Sequence, residues 1–342
     1  MDHVAQITDS LGRISAGENL SQAETTEALD AVMTGRVPQE QIALLLTALR
    51  AKGETVDEIA GAAQSLRKHM TPIRSNRPVI VDTCGTGGVG SKLFNISTAA
   101  ALVTAAAGVP VAKHGNRALT SRTGSADVLA ALGVNISADI ATVERCLEDL
   151  GICFCFAVLV HPAMKQVAEV RRRLGVPTIF NLLGPLCNPA GAPFQLLGVG
   201  RPELRTTLAQ VLAKLGTRRS VVVSGAGNLG EVTVAGATQA TEVTADGKLA
   251  EHQWAAADFK LLEAQSLASL EVENAKQSAA VVHRVFSSEP GPARDIVVAN
   301  AAAAIWIAGK AATLAEGATL AQEAIDTRAA VKLLDRLIGY TV

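Results

Sequence analysis

The sequence predicts an α/β protein in which a small N-terminal all-helical domain precedes a larger α/β domain with a mostly parallel central sheet flanked by helices. Three observations carry that expectation. No apolar run of period two occurs before PVIVDT at 78–83. From there short apolar strands alternate with helical stretches, the pattern of a parallel sheet covered on both faces. The chain has 342 residues, beyond the size at which one core usually stops growing, so two domains are expected.

Residues 1–70 read as helices. Ser21 with Glu24 and Thr55 with Glu58 are capping boxes, each side chain satisfying an orphan backbone N–H at a helix start. IALLLTALRAKG carries an apolar helical face and stops at Gly53, a residue suited to a helix end. The polar TPIRSNRP segment marks the boundary between a domain at 1–72 and one at 73–342. PVIVDT is then a strand, STAAALVTAAAG a helix, VPVAKHG a strand, SADVLAALG a helix and ICFCFAVLV a strand. HPAMKQVAEVRRRLG follows as a helix, FQLLGVGR as a strand, ELRTTLAQVLAKLG as a helix and RRSVVVSGAG as a strand. Thr178 to Pro193 fits neither period and reads as a crossing segment. Beyond about residue 230 a β-rich patch gives way to Ala-rich helices at 274–342.

Composition excludes several classes. Hydrophobic residues make up 49% and charged residues 18%, which describes a core-forming chain rather than a disordered one. The net charge is −1, with no basic block, so no nucleic-acid partner is expected. Five cysteines (84, 146, 153, 155 and 187) form no C-x-x-C pair, which fits neither a disulfide framework nor a zinc site and suits a reducing cytoplasm. Cys153 and Cys155 read as small core hydrophobes. The six histidines show no metal spacing. No signal peptide is evident, and apolar runs such as IVVANAAAAIWIAG at 296–309 are too short to span a membrane.

The chemistry concentrates in DTCGTGGVGSKLFNIST at 82–98. Gly85, Gly87 and Gly90 fit the dinucleotide fingerprint, but VPVAKHG ends in Lys113 and His114 rather than a ribose-binding acid. A Lys suits a 2′-phosphate, so NADP remains a lesser reading. Gly90-Ser91-Lys92 has the wrong order for a P-loop. A ligand-free turn would explain one or two glycines, not four followed by Asn95, Ser97 and Thr98 at a helix start. Glycines let backbone N–H groups converge on an anion, and a helix N-terminus adds its positive end. One of those three side chains is accounted for as an N-cap, and Ser97 could instead offer an oxygen to Mg²⁺. A second donor cluster, KHGNRALTSRTGSAD at 113–127, sits at the carboxyl end of a predicted strand and reads as a clamp on a polyphosphate. Arg171, in EVRRRLG, runs into the irregular FNLLGPL segment and could pair with a substrate carboxylate.

The GTGG…FNIST loop, KHGNR…GSAD, HPAM…R…LG and IFNLLGPL.NPA, with the helical start, give a resemblance that runs nearly end to end. The chain resembles the anthranilate phosphoribosyltransferases of tryptophan biosynthesis. That resemblance implies transfer of the phosphoribosyl group of 5-phosphoribosyl diphosphate (PRPP) to anthranilate, a Mg²⁺ cofactor, a cytoplasmic homodimer, and part of 165–195 joining the helical domain. It also implies PRPP contacts at Gly85, Gly88, Val89, Leu93, Asn95, Ile96, Ser97 and Thr98. The second PRPP stretch comprises Lys113, His114, Gly115, Asn116, Arg117, Ala118, Leu119, Thr120 and Ser121, with Ser125. Gly85, Asn116 and Arg171 would contact anthranilate, and Ser97 and Glu231 the metal. An aromatic amine is neutral near pH 7, so no catalytic nucleophile or triad is expected.

Four positions depart from the family pattern. Val89 stands for an Asp, Leu93 for a Thr or Ser, Gly230 for the Asp of an Asp-Glu pair, and Pro177 for an Arg. Losing carboxylates predicts a weakened Mg²⁺ site. TGGVG-x-K also resembles the glycine loop of pyrimidine-nucleoside phosphorylases, which use free phosphate without magnesium. A phosphorylase-like enzyme or an impaired PRPP-binding paralogue is therefore the alternative. KHGNR and FNLLGPL match the transferase and not the phosphorylase.

Overall fold

The computed structural model describes residues 3–86, 92–118 and 122–342. The chain begins with four helices, α1 (His3–Ser15), α2 (Gln22–Met33), α3 (Gln39–Lys52) and α4 (Val56–Lys68). Both expected capping boxes form. Ser21 accepts from the Glu24 N–H while Glu24 accepts from the Ser21 N–H, and Thr55 and Glu58 do the same at α4. α3 ends at Gly53, whose φ of 89° lies where a side chain would strain the backbone. Glu58 is fully buried, and its carboxylate accepts from Leu20 N at 3.0 Å and Lys52 Nζ at 2.9 Å.

Among the described residues seven strands follow: β1 (Val81–Gly85), β2 (Val111–Gly115), β3 (Ile152–Phe156), β4 (Phe194–Gly198), β5 (Arg219–Gly225), β6 (Thr238–Val243) and β7 (Leu249–Trp254). They form one sheet in the order β3-β2-β1-β4-β5-β6-β7, parallel through β5 and antiparallel thereafter. Successive connections leave β1 in opposite directions, so β1 and β4 flank the switch point where open α/β sheets bind ligands.

Two continuous cores cover the sheet. On one side, the helices Ile96–Ala106 and Pro292–Ile307 pack with β1, β2 and β3. On the other, the interior of the four-helix bundle runs without a break into Val167, Val170, Ile179, Leu183 and Cys187 and on to Leu197, Val199 and Val222. Arg67 of α4 donates to Leu186 O at 2.7 Å, tying the crossing segment to the bundle.

The sequence predicts a strand through Val160, but β3 ends at Phe156 and Ala157–Val160 is one helical turn. Among the described residues β2 is the one neighbour of β3, and it stops at Gly115 opposite Phe156, so the next residues have no ladder to join. His161 N bonds Ala157 O at 3.0 Å instead. The crossing segment also gains structure, a turn at Phe180–Leu183 followed by a 3₁₀ turn at Gly184–Leu186. Among the described residues no helix is long and apolar enough to cross a membrane.

Candidate functional site

The site is built from strand ends. Gly85 closes β1 opposite Gly198 at the end of β4, and Thr86 N donates to Gly198 O at 3.0 Å. A Cβ on Gly198 would lie 1.8 Å from Gly230 O, so only glycine lets the segment around Gly230 cross the end of β4. That crossing sets Glu231 beside the start of α5 (Ile96–Ala106). With Thr83, Cys84, Ser97, Leu196 and Asn300, Glu231 lines a cleft holding about 10 Å³ of free space.

α5 starts on a side-chain cap. Asn95 Oδ1 accepts from Thr98 N at 3.1 Å and from the Thr98 hydroxyl, while Asn95 N donates to Ser278 Oγ at 2.9 Å. Thr98 and Ile96 are buried, so these residues shape the helix start. The half-buried Ser97 is the one that presents a hydroxyl. Leu93 lies just before the cap, in a short antiparallel bridge with Glu271.

Lys113 rises from β2 toward the same place. Its ammonium donates to Thr83 O at 2.6 Å and Ser97 Oγ at 3.2 Å, which leaves one of three donors for a ligand. Burial lowers its pKa, and the negative charges of Asp82 and Glu231 oppose that shift. Glu231 moves the opposite way. Burial raises its carboxyl to about 7, against the pull of Lys113 and the Ser97 N–H.

His114 is the next residue on the strand and faces the opposite side of the sheet. Its Nδ1–H donates to Gly184 O at 2.9 Å, and its Nε2 lies 3.1 Å from His161 Nε2. Burial holds His114 down to about 3 and His161 to about 4, so both rings are neutral at ordinary pH. The His114 side chain is thus packed against the crossing segment, away from Lys113, and only its backbone follows the strand end. The sequence reading did not single out His161 as its partner.

The loop after β2 is organised by Asp127, which the sequence reading also missed, although its place three residues after Gly124 marks it as a cap. Asp127 Oδ2 accepts from Ala118 N at 2.9 Å and Gly124 N at 3.2 Å. A Cβ on Gly124 would meet Ala118 N at 2.3 Å, so the tight approach needs a glycine. Asn116 Oδ1 accepts from Arg117 N at 2.8 Å, and Ser125 Oγ reaches Asn116 O at 3.5 Å beside Gly115. Arg117, expected as a clamp, instead pairs with Asp127 at 3.0 Å, its side chain 60% exposed. Arg122 pairs with Glu273. Among the described residues Lys113 is the cation of this cluster bonded only to neutral groups. Gly88, Val89, Leu119, Thr120 and Ser121 lie outside the described residues.

Arg171 sits on the helix Lys165–Leu174, its guanidinium 5.8 Å from the centre of the Phe180 ring and its Nη2 3.4 Å from Asn181 Oδ1. Burial lowers its pKa. Its neighbours Arg172 and Arg173 both pair with Glu169, at 2.6 and 2.7 Å. Among the described residues Arg171 has no carboxylate partner. Asn181 and Gly184, which receive Arg171 and His114, lie in consecutive turns of the crossing segment, so one segment links Arg171 to the end of β2.

Comparison with known proteins agrees with this architecture. The model of the glycosyl transferase family helical bundle domain matches residues 8–70, and that of its a/b domain matches 77–331. The anthranilate phosphoribosyltransferase of Rhodopirellula baltica is 48% identical over 336 residues, covering 98% of both chains. The crystal structure of the Thermus thermophilus anthranilate phosphoribosyltransferase is 42% identical with a TM-score of 0.91, covering 97% of this chain and 99% of that one. The Saccharomyces cerevisiae enzyme in complex with PRPP and Mg is 27% identical with a TM-score of 0.88, covering 98% of each chain. The phosphorylase-like alternative draws no support from these relatives. Helical bundle, switch-point cleft and full-length likeness together make this chain a member of the anthranilate phosphoribosyltransferase family.

Proposed function

We propose that the chain transfers the phosphoribosyl group of PRPP to the amine of anthranilate, yielding N-(5-phosphoribosyl)anthranilate and diphosphate in tryptophan biosynthesis. The observation that carries this reading is the cleft at the β1/β4 switch point, where Lys113, Ser97 and the N-terminus of α5 converge beside Glu231. The amine nitrogen attacks C1 of the ribose, and the bond from C1 to the diphosphate oxygen breaks with its electrons on the leaving group. The amine proton then passes to solvent. A neutral aromatic amine needs no prior deprotonation, so catalysis rests on positioning and on stabilising the departing charge. Lys113 and the positive end of the α5 dipole supply that stabilisation. Arg171 orients the acceptor through its carboxylate, with Asn116 and Gly85 alongside.

The donors in the cleft suit a hard cation. Glu231 contributes a carboxylate and Ser97 a hydroxyl, while among the described residues no three of His, Cys, Asp or Glu gather into a full cage. Such a set fits Mg²⁺, which keeps water and leans on substrate phosphates. When bound, Mg²⁺ neutralises charge on the diphosphate. With Val89 and Gly230 in place of two carboxylates, that site is weaker than one with both. The yeast relative has also been solved with 4-fluoroanthranilate, which supports an anthranilate-type acceptor here. We further read 1–72 as the helical domain, joined by part of 165–195, and the working form as a cytoplasmic homodimer.

Purified protein with PRPP, Mg²⁺ and anthranilate should show loss of anthranilate fluorescence. Thymidine with phosphate is the parallel arm. Cleavage of the nucleoside without consumption of anthranilate would overturn the transferase reading.

A further inference from the structure

The helix Pro292–Ile307 is apolar almost all round, and every residue from Ile296 to Ile305 is buried. In its middle, among alanines and valines, stands Asn300, 1% exposed. Its amide is fully engaged. Oδ1 accepts from Val232 N at 2.9 Å, and Nδ2 donates to Val232 O and Ile296 O, both at 2.8 Å. One side chain thus holds both backbone groups of one residue, as a neighbouring strand would.

That residue directly follows Glu231, the carboxylate of the cleft, and Asn300 itself lines the cleft. The backbone before it is pressed from two other sides. Gly230 O lies against Gly198, and a Cβ on Gly225 would come within 2.7 Å of Glu231 O. Two close glycine contacts and one amide clip therefore fix the Gly230–Val232 segment, and through it the direction of the Glu231 carboxylate toward the Ser97 N–H.

We propose that Asn300 is a positioning residue for Glu231: its two bonds to Val232 hold the segment so that the carboxylate faces the place of Mg²⁺ and diphosphate. This rests on the metal reading of Glu231 given above. Carboxylates that ligate metals depend on such outer partners, whose loss typically weakens metal binding by about ten- to hundredfold.

The test compares Asn300→Leu, Glu231→Gln and the double variant with the parent enzyme. PRPP binding is measured by calorimetry with Mg²⁺ and with EDTA, alongside the Mg²⁺ half-saturation of turnover and the KM for anthranilate. Asn300→Leu should raise the Mg²⁺ half-saturation about tenfold and weaken PRPP binding with Mg²⁺. PRPP binding in EDTA and the anthranilate KM should stay within about twofold. In the Glu231→Gln background, Asn300→Leu should add almost nothing, because its effect passes through that carboxylate. A tenfold effect that persists there would make Asn300 a scaffold residue only and overturn the proposal, as would an unchanged Mg²⁺ requirement in Asn300→Leu. If Asn300→Leu does not fold, Asn300→Ser, which keeps a hydroxyl toward Val232, carries the same comparison with a smaller expected shift. If Glu231→Gln alone leaves the Mg²⁺ requirement untouched, the metal assignment falls first and this proposal with it.

Discussion

Arg171 offers the sharpest test of the acceptor site. Glu169 pairs with both Arg172 and Arg173, whereas Arg171 is half-buried on Phe180 with one weak polar contact, 3.4 Å from Asn181 Oδ1. A guanidinium in that position gains most from a carboxylate that arrives with a ligand. Hydrogen bonds to charged groups are worth about 1.5–3 kcal/mol, so Arg171→Ala should raise the anthranilate KM about ten- to hundredfold. The PRPP KM should change far less. Arg171→Lys keeps a charge but loses the planar fork, and should recover only part of the loss. The assay is steady-state loss of anthranilate fluorescence at saturating PRPP. Aniline, an acceptor without a carboxylate, should be used equally poorly by parent and variant. An equal rise in both KM values, or an unchanged anthranilate KM, would return Arg171 to the role of an ordinary helix arginine packed on an aromatic ring.

Lys113→Met should raise the PRPP KM at least about tenfold while the anthranilate KM moves little; equal changes in a binding assay would mean that the ammonium only props Thr83 O and Ser97 Oγ. Gly230→Asp should lower the Mg²⁺ half-saturation of turnover. Its backbone is outside the left-handed region and the new Cβ would meet Gly200 N at 3.3 Å, so a shift of a few tenths of an ångström accommodates it, and an unchanged Mg²⁺ titration would make Gly230 tolerated variation. Because the Glu231 carboxyl is raised in the fold from 4.5 to about 7, its contribution to stability is full below 4.5 and is lost as pH rises through 7. In EDTA, Glu231→Gln should therefore gain on the parent between roughly pH 5 and pH 8, by about 2 kcal/mol after discounting for solvent access, and parallel urea midpoints across that window would refute it.

What could be read in advance was the local chemistry. Ser21 with Glu24 and Thr55 with Glu58 are three residues apart, and nothing distant alters whether they cap. The strands were legible because burial on both faces leaves a continuous apolar run. The end of β3 was not, since it is fixed by where β2 stops, a property of the partner. The crossing segment resisted for the same reason. Its order comes from Arg67, His114 and Asn188, whose partners lie 119, 70 and 76 positions away. Within the site, donor-rich composition singled out the loops after β1 and β2 but could not say which of their polar groups are already engaged within the fold. Arg117 donates to Asp127, and the Asn95 side-chain oxygen accepts from Thr98. One error was avoidable, because adjacent strand residues face opposite ways and Lys113 and His114 could not both point at the same ligand.

The four departures from the family pattern are best weighed by what the site is made of. At the switch point the chain brings backbone against backbone: Gly85 meets Gly198, and Gly198 meets Gly230. An anion bound there would be held by N–H groups and a helix end, which side-chain substitutions leave in place. On the metal reading proposed for Glu231, a carboxylate absent at Gly230 would act on the cation side, where Glu231 stands and Asn300 fixes its backbone. A bulky residue at Gly198 would act differently, since a Cβ only 1.8 Å from Gly230 O must push the Glu231 segment away. The two kinds of change should separate in experiment. Carboxylate losses shift the Mg²⁺ requirement and spare PRPP binding in EDTA, whereas Gly198→Ala should impair both together.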